Sequence, residues 1–181
     1  MTGTALRRAI HAASGAVLLL IYVAPPVVYR SLIVGATVAA LGVDLVRIGK
    51  PAVHEVLFRA LPVFRPSERY RLSGASWLML GYTAAVLLPS RAAAAGILVG
   101  ALADPAAAMV GERLGGSRAK SWSGTLAALV TGCAALAASG FPIHVVVVAS
   151  AVGAAAERWS GPVDDNLVVA PVVGATVVLL A

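Results

Sequence analysis

Ile97–Gly111 reads ILVGALADPAAAMVG. A single acid, Asp104, interrupts a run of apolar and small residues, and Pro105 follows it directly. A carboxylate is costly to expose to lipid, so Asp104 is expected to face a protein interior or a watery cavity and to mark a functional site. The proline removes one backbone N–H and deprives the Ala101 carbonyl of its usual partner, which predicts a broken helix at this depth. Such breaks survive in a bilayer only where protein, water or a ligand satisfies the freed groups. Gly96, Gly100, Asp104 and Ala108 recur every four residues, and Gly111 and Gly115 lie near the same face further on. A smooth face of this kind lets a second helix, or a phosphate chain, approach closely.

The rest of the chain has the same character. Of its 181 residues, 60% are hydrophobic and only 12% charged, with a mean hydropathy of +0.91. That is too apolar for a soluble domain and predicts an all-α polytopic membrane protein. Residues 1–181 are read as one domain, without internal repeats or a linker. Seven spans are predicted, over Ile10–Val28, Ser31–Ile48, Ser73–Pro89, Ala92–Gly115, Ser123–Ser139, Pro142–Trp159 and Leu167–Ala181. Between the second and third, Ala52–Leu61 is amphipathic, with Val53, Val56, Leu57 and Ala60 on one face; it lies in the interface or packs on the bundle. The N-terminal Arg7-Arg8 and the apolar stretch after them resemble a signal peptide, but polar residues recur within the stretch and no cleavage site follows, so it is read as an uncleaved first span. The lone Cys133 sits in an Ala-rich run and is expected to be a packed core residue.

Charge orients the spans. With the N-terminus in the cytoplasm, twelve of the 14 Lys and Arg fall on the cytoplasmic side, leaving only Arg30 and Arg91 opposite. This is a strong positive-inside bias. It also accounts for the net charge of +6 without nucleic acid, since interleaved aromatics are absent. Glu55, Glu68, Glu112, Glu157, Asp164 and Asp165 gather on that same side, and Asp44 and Asp104 lie toward the cytoplasmic ends of their spans. The chemistry-capable groups therefore share the face that meets cytoplasmic nucleotides. Its small size and lack of targeting segments point to a prokaryotic inner membrane.

Three constellations stand out. Asp104–Thr125 reads DPAAAMVGERLGGSRAKSWSGT. Gly115-Gly116 allows a turn with free N–H groups. Arg118 and Lys120 add positive charge, and Ser121, Ser123 and Thr125 open the next span, where helix N-terminal N–H groups favour anions. Asp104 or Glu112 could hold Mg²⁺, a hard ion suited to carboxylates and phosphate oxygens. Order and spacing favour a phosphate site with Gly111, Gly124 and these residues around it. The second constellation is Glu157–Pro171, ERWSGPVDDNLVVAP, where Glu157, Asp164, Asp165 and Asn166 either bind Mg²⁺ or activate a hydroxyl, or cap the last helix. The third is Arg7 and His11, which share a helix face. Asp44 and Arg47 are expected to pair on span two, and Glu68 precedes a Ser73-Gly74 helix start.

In this order, Arg7-Arg8-x-x-His11, Asp44-x-x-Arg47, Ser73-Gly74-Ala75-Ser76-Trp77, Asp104 through Gly115, Lys120-Ser121-x-x-Gly124-Thr125, Glu157 and Asp164-Asp165-Asn166-Leu167 resemble the polyprenol kinase family over nearly the whole chain. That family includes dolichol kinases, phytol kinases and a CTP-using diacylglycerol kinase, and the Asp-Asp-Asn block looks most similar to phytol kinases. The resemblance implies a polytopic helical enzyme that phosphorylates a lipid alcohol from CTP with Mg²⁺. On that basis Lys120, Arg118 and nearby N–H groups hold the phosphates, and Mg²⁺ bridges them to Asp104 and Asp165. Asp104, then Asp165, is the candidate to orient or deprotonate the hydroxyl. The chain departs from the family pattern in its short Ser117-Arg118-Ala119 loop, where Arg118 replaces a family lysine; this leaves ATP open as the donor. Glu112 also stands where the family often has a basic residue.

Two other functions fit parts of the pattern. A lipid-phosphate cytidylyltransferase shares the Lys120-Ser121-Trp122 logic, but the later glycine-histidine signature of those enzymes is missing. A small transporter with Asp104 in its path should place polar groups at several depths, whereas spans five and seven have almost none. The lipid-facing Ala, Val and Leu fit any long apolar chain, and the small-residue faces would suit a homodimer.

Overall fold

A computed structural model describes residues 3–61, 63–114, 120–161 and 163–180. The described residues are helical over most of their length and contain no strand. Prolines and caps set the helix boundaries. Helices α1 (Gly3–Ser14) and α2 (Val17–Val23) are separated by a short break at Gly15-Ala16, and Pro25-Pro26 ends α2 and opens α3 (Pro26–Gly49) with a proline in its first turn. Pro51 opens α4 (Pro51–Ala60) in the same way. After a single 3₁₀ turn at Pro66–Glu68, Ser73 caps α5 (Gly74–Ala85) by accepting from Ser76 N–H. Helix α6 (Ser90–Leu114) follows Pro89, and Ser121 caps α7 (Trp122–Ala138). Gly140, at φ +72°, ends α7: its N–H reaches Ala137 O at 3.0 Å and that of Phe141 reaches Leu136 O at 3.2 Å. This paired bonding satisfies the last carbonyls of a helix and requires a left-handed residue. Helices α8 (Ile143–Trp159) and α9 (Asp165–Leu180) complete the chain.

Helix α6 is central. It packs on α7 and α9, α8 packs between α7 and α9, and α5 covers α9 while α3 lies outside α5. The core is built of small residues. A Cβ on Gly96 would strike the Ala170 carbonyl oxygen and lie 3.1 Å from Gly174 N, and one on Gly81 would meet the Asn166 and Leu167 carbonyls. Backbones in near contact are how helices associate where lipid removes the ordinary hydrophobic drive. Here they also bring the start of α9 against α5 and α6, which positions Asp165 and Asn166. Side-chain hydrogen bonds add to the packing: Tyr29 to Ser90 at 3.0 Å, Thr37 to Thr83 at 2.7 Å and Ser14 to Tyr82 at 2.8 Å.

Among the described residues three stretches are long and apolar enough to cross a membrane: Thr4–Val23, Pro26–Gly49 and Ser90–Leu114; Trp122–Ala138 and Asp165–Leu180 are shorter apolar helices. The predicted first span begins too late, because helix already forms at Gly3 and the prolines end it before Val28. The predicted break at Pro105 does not occur: α6 runs through it to Leu114. Flanking helices hold that turn in place, and His11 Nε2 adds a hydrogen bond to the neighbouring Gly100 carbonyl at 3.1 Å. In α4 the inward face is Val53, His54, Leu57 and Phe58: Val53 and Leu57 of the predicted face are partly buried, whereas Val56 and Ala60 are exposed. His54 stacks on Phe58 at 4.1 Å, and an aromatic cluster with Phe64 replaces part of the expected aliphatic stripe.

Candidate functional site

Three helices deliver one acid each to a single point. Asp104 comes from the later half of α6, Glu157 from the end of α8 and Asp165 from the start of α9, and one carboxylate oxygen of each lies within 4.8 Å of the others. Lys120, just before α7, reaches into this group. Its Nζ donates to Asp165 Oδ2 at 2.8 Å, lies 3.4 Å from Glu157 Oε1, and also donates to the Glu157 carbonyl. Burial works against the ammonium charge. Even so, the hydrogen bond and charge of Asp165, reinforced by Glu157, leave the Lys120 pKa above its ordinary value. Beside it, Ser121 Oγ accepts from Gly124 N–H at 3.1 Å, so the positive end of α7 faces the same region.

His11 braces Asp104 from α1. A carbonyl only accepts, so Nε2 donates to Gly100 O, which turns Nδ1 to within 3.4 Å of Asp104 Oδ2. On the side of Asp104 facing α1, α3 and α5, a cavity of about 300 Å³ opens, with Arg7, Arg65, Phe64, Gly74 and Asn166 in its wall. A smaller crevice lined by His11, Asp104, Asp165 and Asn166 joins the two regions.

The 63–72 segment beside the cavity is shaped by a buried network. Arg47, fully buried, donates to Asp44 Oδ1 at 2.7 and 3.0 Å and to the carbonyls of Glu68 and Arg71 at 2.8 Å each. Its guanidinium lies 4.9 Å from the Phe64 ring centroid. Asp44 Oδ2 in turn accepts from Ser73 N–H, Ser73 Oγ and Ser76 Oγ at 2.6, 2.9 and 2.7 Å. Glu68 accepts from Arg65 N–H at 3.0 Å and Gly74 N–H at 3.2 Å.

The residues singled out in the sequence therefore divide. Asp104, Glu157, Asp165, Lys120 and His11 converge, and Arg7 lines the adjoining cavity. Ser121 and Gly124 belong to the α7 cap, and Gly111 gives that cap room, since a Cβ on it would lie 2.9 Å from Ser121 Oγ. Thr125 bonds the Ser121 carbonyl at 3.2 Å and accepts from Arg158. Asp44, Glu68 and Ser73 line the cavity themselves, and the buried Arg47 holds that wall in place. Asp164 does not join the acids. It precedes α9 and accepts from the N–H and Nδ2 of Asn166 at 3.1 and 2.7 Å, the capping alternative. Burial and the charge of Asp165 raise its pKa, against the pull of those two hydrogen bonds. Glu112 pairs with Arg8 at the exposed end of α6, away from the acids. Gly115, Gly116 and Arg118 lie outside the described residues. Arg65 and Phe64 were missed as wall residues, because nothing local marks them; the Arg47 network, formed across distant helices, brings them in.

The donor set suits a divalent cation. It offers three hard carboxylate ligands, and a cationic group, the Lys120 ammonium, already lies among them. Compared with protein families, with curated proteins and with solved structures, the chain matches none. What stands, among the described residues, is an all-helical fold with three stretches long and apolar enough to cross a membrane and with acids from three helices gathered together.

Proposed function

We propose that the protein is an integral-membrane kinase of the polyprenol kinase type, transferring the γ-phosphoryl group of CTP to the hydroxyl of a membrane lipid alcohol. The observation that carries this is the meeting of Asp104, Glu157 and Asp165 around Lys120 Nζ beside the α7 N-terminus. A phosphate chain needs positive charge and free N–H groups, and a transferred phosphoryl needs its charge balanced where it moves. Asp104 and Asp165, with Glu157 beside them, would hold Mg²⁺. When bound, the ion neutralises phosphate charge and orients the oxygens.

The chain's own residues do the rest by position and charge. Lys120 turns from the acids to the phosphate oxygens. The acceptor oxygen forms its bond to the γ-phosphorus as the bond from that phosphorus to the β-phosphate oxygen breaks. The hydroxyl proton passes to Asp104, which His11 holds in place, and CDP leaves.

Seven crossings fit this site: α1 with α2, then α3 and each of α5 to α9, with the N-terminus in the cytoplasm. Helices of 17 residues such as α7 and α8 span about 25 Å, near the lower limit for a crossing, and the 12-residue α5, about 18 Å long, would need the following residues 86–89 to complete its crossing. The acids then share the cytoplasmic end. Arg30 and Arg91 bond the Leu88 and Gly140 carbonyls at the other end.

The test is transfer of label from γ-labelled CTP or ATP, with Mg²⁺, to a panel of isoprenoid alcohols and diacylglycerol by purified protein in detergent. Label should reach one lipid, and Asp104→Asn should lower the rate by about a hundredfold or more, the scale seen when an electrostatic stabiliser is removed. Release of pyrophosphate instead of CDP would replace this reading with cytidylyl transfer. No nucleotide consumption with any lipid would sink both.

A further inference from the structure

Of the three gathered acids only Asp104 lines the cavity of about 300 Å³ between α1, α3, α5 and α6, and Asp104 and Asn166 belong to the walls of both this cavity and the adjoining crevice. Asn166 is only 9% exposed. Its Nδ2 is committed to Asp164 Oδ1, which fixes the amide's orientation and leaves Oδ1 buried without a partner. A buried carbonyl oxygen left unpaired is unfavourable enough that native structures rarely keep one without a ligand or water to fill it. It can only accept, so it selects a hydrogen-bond donor and not a phosphate oxygen.

The rim tells what carries that donor. The wall includes Ile10 on α1 and Val43 on α3, 52% and 50% exposed, both on stretches apolar enough to lie in a bilayer. The same wall also carries Arg7, Arg8 and Arg65. A nucleotide has no use for an apolar exit toward lipid, whereas an amphiphile needs one.

We propose that this cavity is the acceptor site: the lipid alcohol's hydroxyl donates to Asn166 Oδ1, and its chain leaves into the bilayer between Ile10 and Val43. This rests on the kinase reading for the reaction, but the binding event stands apart from it. Asn166 is then the residue that selects a free hydroxyl, and it holds the oxygen beside Asp104 without taking its proton.

The experiment pairs two readouts on protein purified in detergent. The first is nucleotide-free thermal stabilisation by phytol, farnesol and diacylglycerol, each against its methyl ether. The second is the KM for alcohol and for CTP in the transfer assay. Wild type should be stabilised by at least one alcohol and not by its ether. Asn166→Leu should lose that discrimination and raise the alcohol KM about tenfold, the loss expected for one hydrogen bond, with the CTP KM unchanged. Val43→Trp, which narrows the exit without touching the acids, should raise the alcohol KM alone and decides the matter if Asn166→Leu does not fold. Equal stabilisation by alcohol and ether, no stabilisation by any alcohol, or a rise in the CTP KM instead would overturn the acceptor site while label transfer kept the kinase reading. Asn166-dependent preference for the alcohol in a protein that transfers no label would uphold the site and remove the kinase.

Discussion

Helices α3 and α6 are nearly equal in length, 24 and 25 residues, and in mean hydropathy, 1.8 and 1.7, yet 22% of the most apolar window of α3 is buried against 61% for α6. Hydropathy reports the solvent a helix tolerates, not its place in the bundle. Side-chain size reports the place. The inner positions of α6 are mostly Ala and Gly, with Ile97 and Val99 among them, and its neighbours come to backbone contact there. The outer face of α3 carries Val27, Leu32, Val34, Val38 and Leu45. In lipid, a large apolar side chain gains nothing by moving inward, while a small one lets helices close. So α6 is held by packing along its length. The more exposed α3 is tied to its neighbours by a few polar points: Tyr29, Thr37 and the Asp44–Arg47 network.

That contrast can be broken most severely at Arg47. Replacing it with Met leaves Asp44 buried without its charge partner and frees the Glu68 and Arg71 carbonyls. Loss of one partner of a buried ion pair costs about 3–5 kcal/mol. Thermal unfolding in detergent should show a large drop, and proteolysis should appear first within the 63–72 segment. An unchanged midpoint would mean that packing, not these polar points, holds α3.

The second test strikes α6. Gly96→Ala puts a methyl against the Ala170 carbonyl oxygen and Gly174 N, backbone atoms that cannot step aside. Overpacking of this kind costs about 1–3 kcal/mol, here toward the upper end, and it separates α6 from α9. Because α9 carries Asp165 and Asn166, label transfer should fall along with stability. Tolerance of the methyl would show that the α6–α9 approach is looser than the small-residue core requires.

The sequence made the helices legible because hydropathy, caps and prolines are local. Span four, Ala92–Gly115, against Ser90–Leu114, and span six, Pro142–Trp159, against Ile143–Trp159, differ from the structure by one or two residues. Asp104 stood out because a lone acid in an apolar run has few physical excuses, and Lys120 because in the sequence it follows Gly115-Gly116 just before a helix start. What did not show was which acids meet. Glu157 and Asp165 were two of four polar candidates in one segment, and Asp164, directly before Asp165, caps a helix instead. Pro105 misled because a local rule about the missing N–H ignores helices packed on either side. Arg65 and Phe64 gave no signal, since their place depends on Arg47, which lies on another helix.

The smallest effect should have the opposite sign. A Cβ added at Gly35, near the middle of α3, meets nothing within 4 Å, and the residue is exposed. In a helix interior Ala is favoured over Gly by up to about 1 kcal/mol, so Gly35→Ala should raise the midpoint of unfolding slightly and leave label transfer alone. The same methyl that wedges α6 from α9 at Gly96 would then stabilise α3, which is the comparison in its sharpest form. Gly42 and Gly49 follow Gly35 at seven-residue steps, and they too have open space where a Cβ would go. If Gly35→Ala instead lowered stability and shifted the protein toward a smaller species in size-exclusion chromatography, that face of α3 would be packed against a second copy. The low burial of α3 would then belong to the single chain, and its outer face would be an interface with backbone contacts like those of α6.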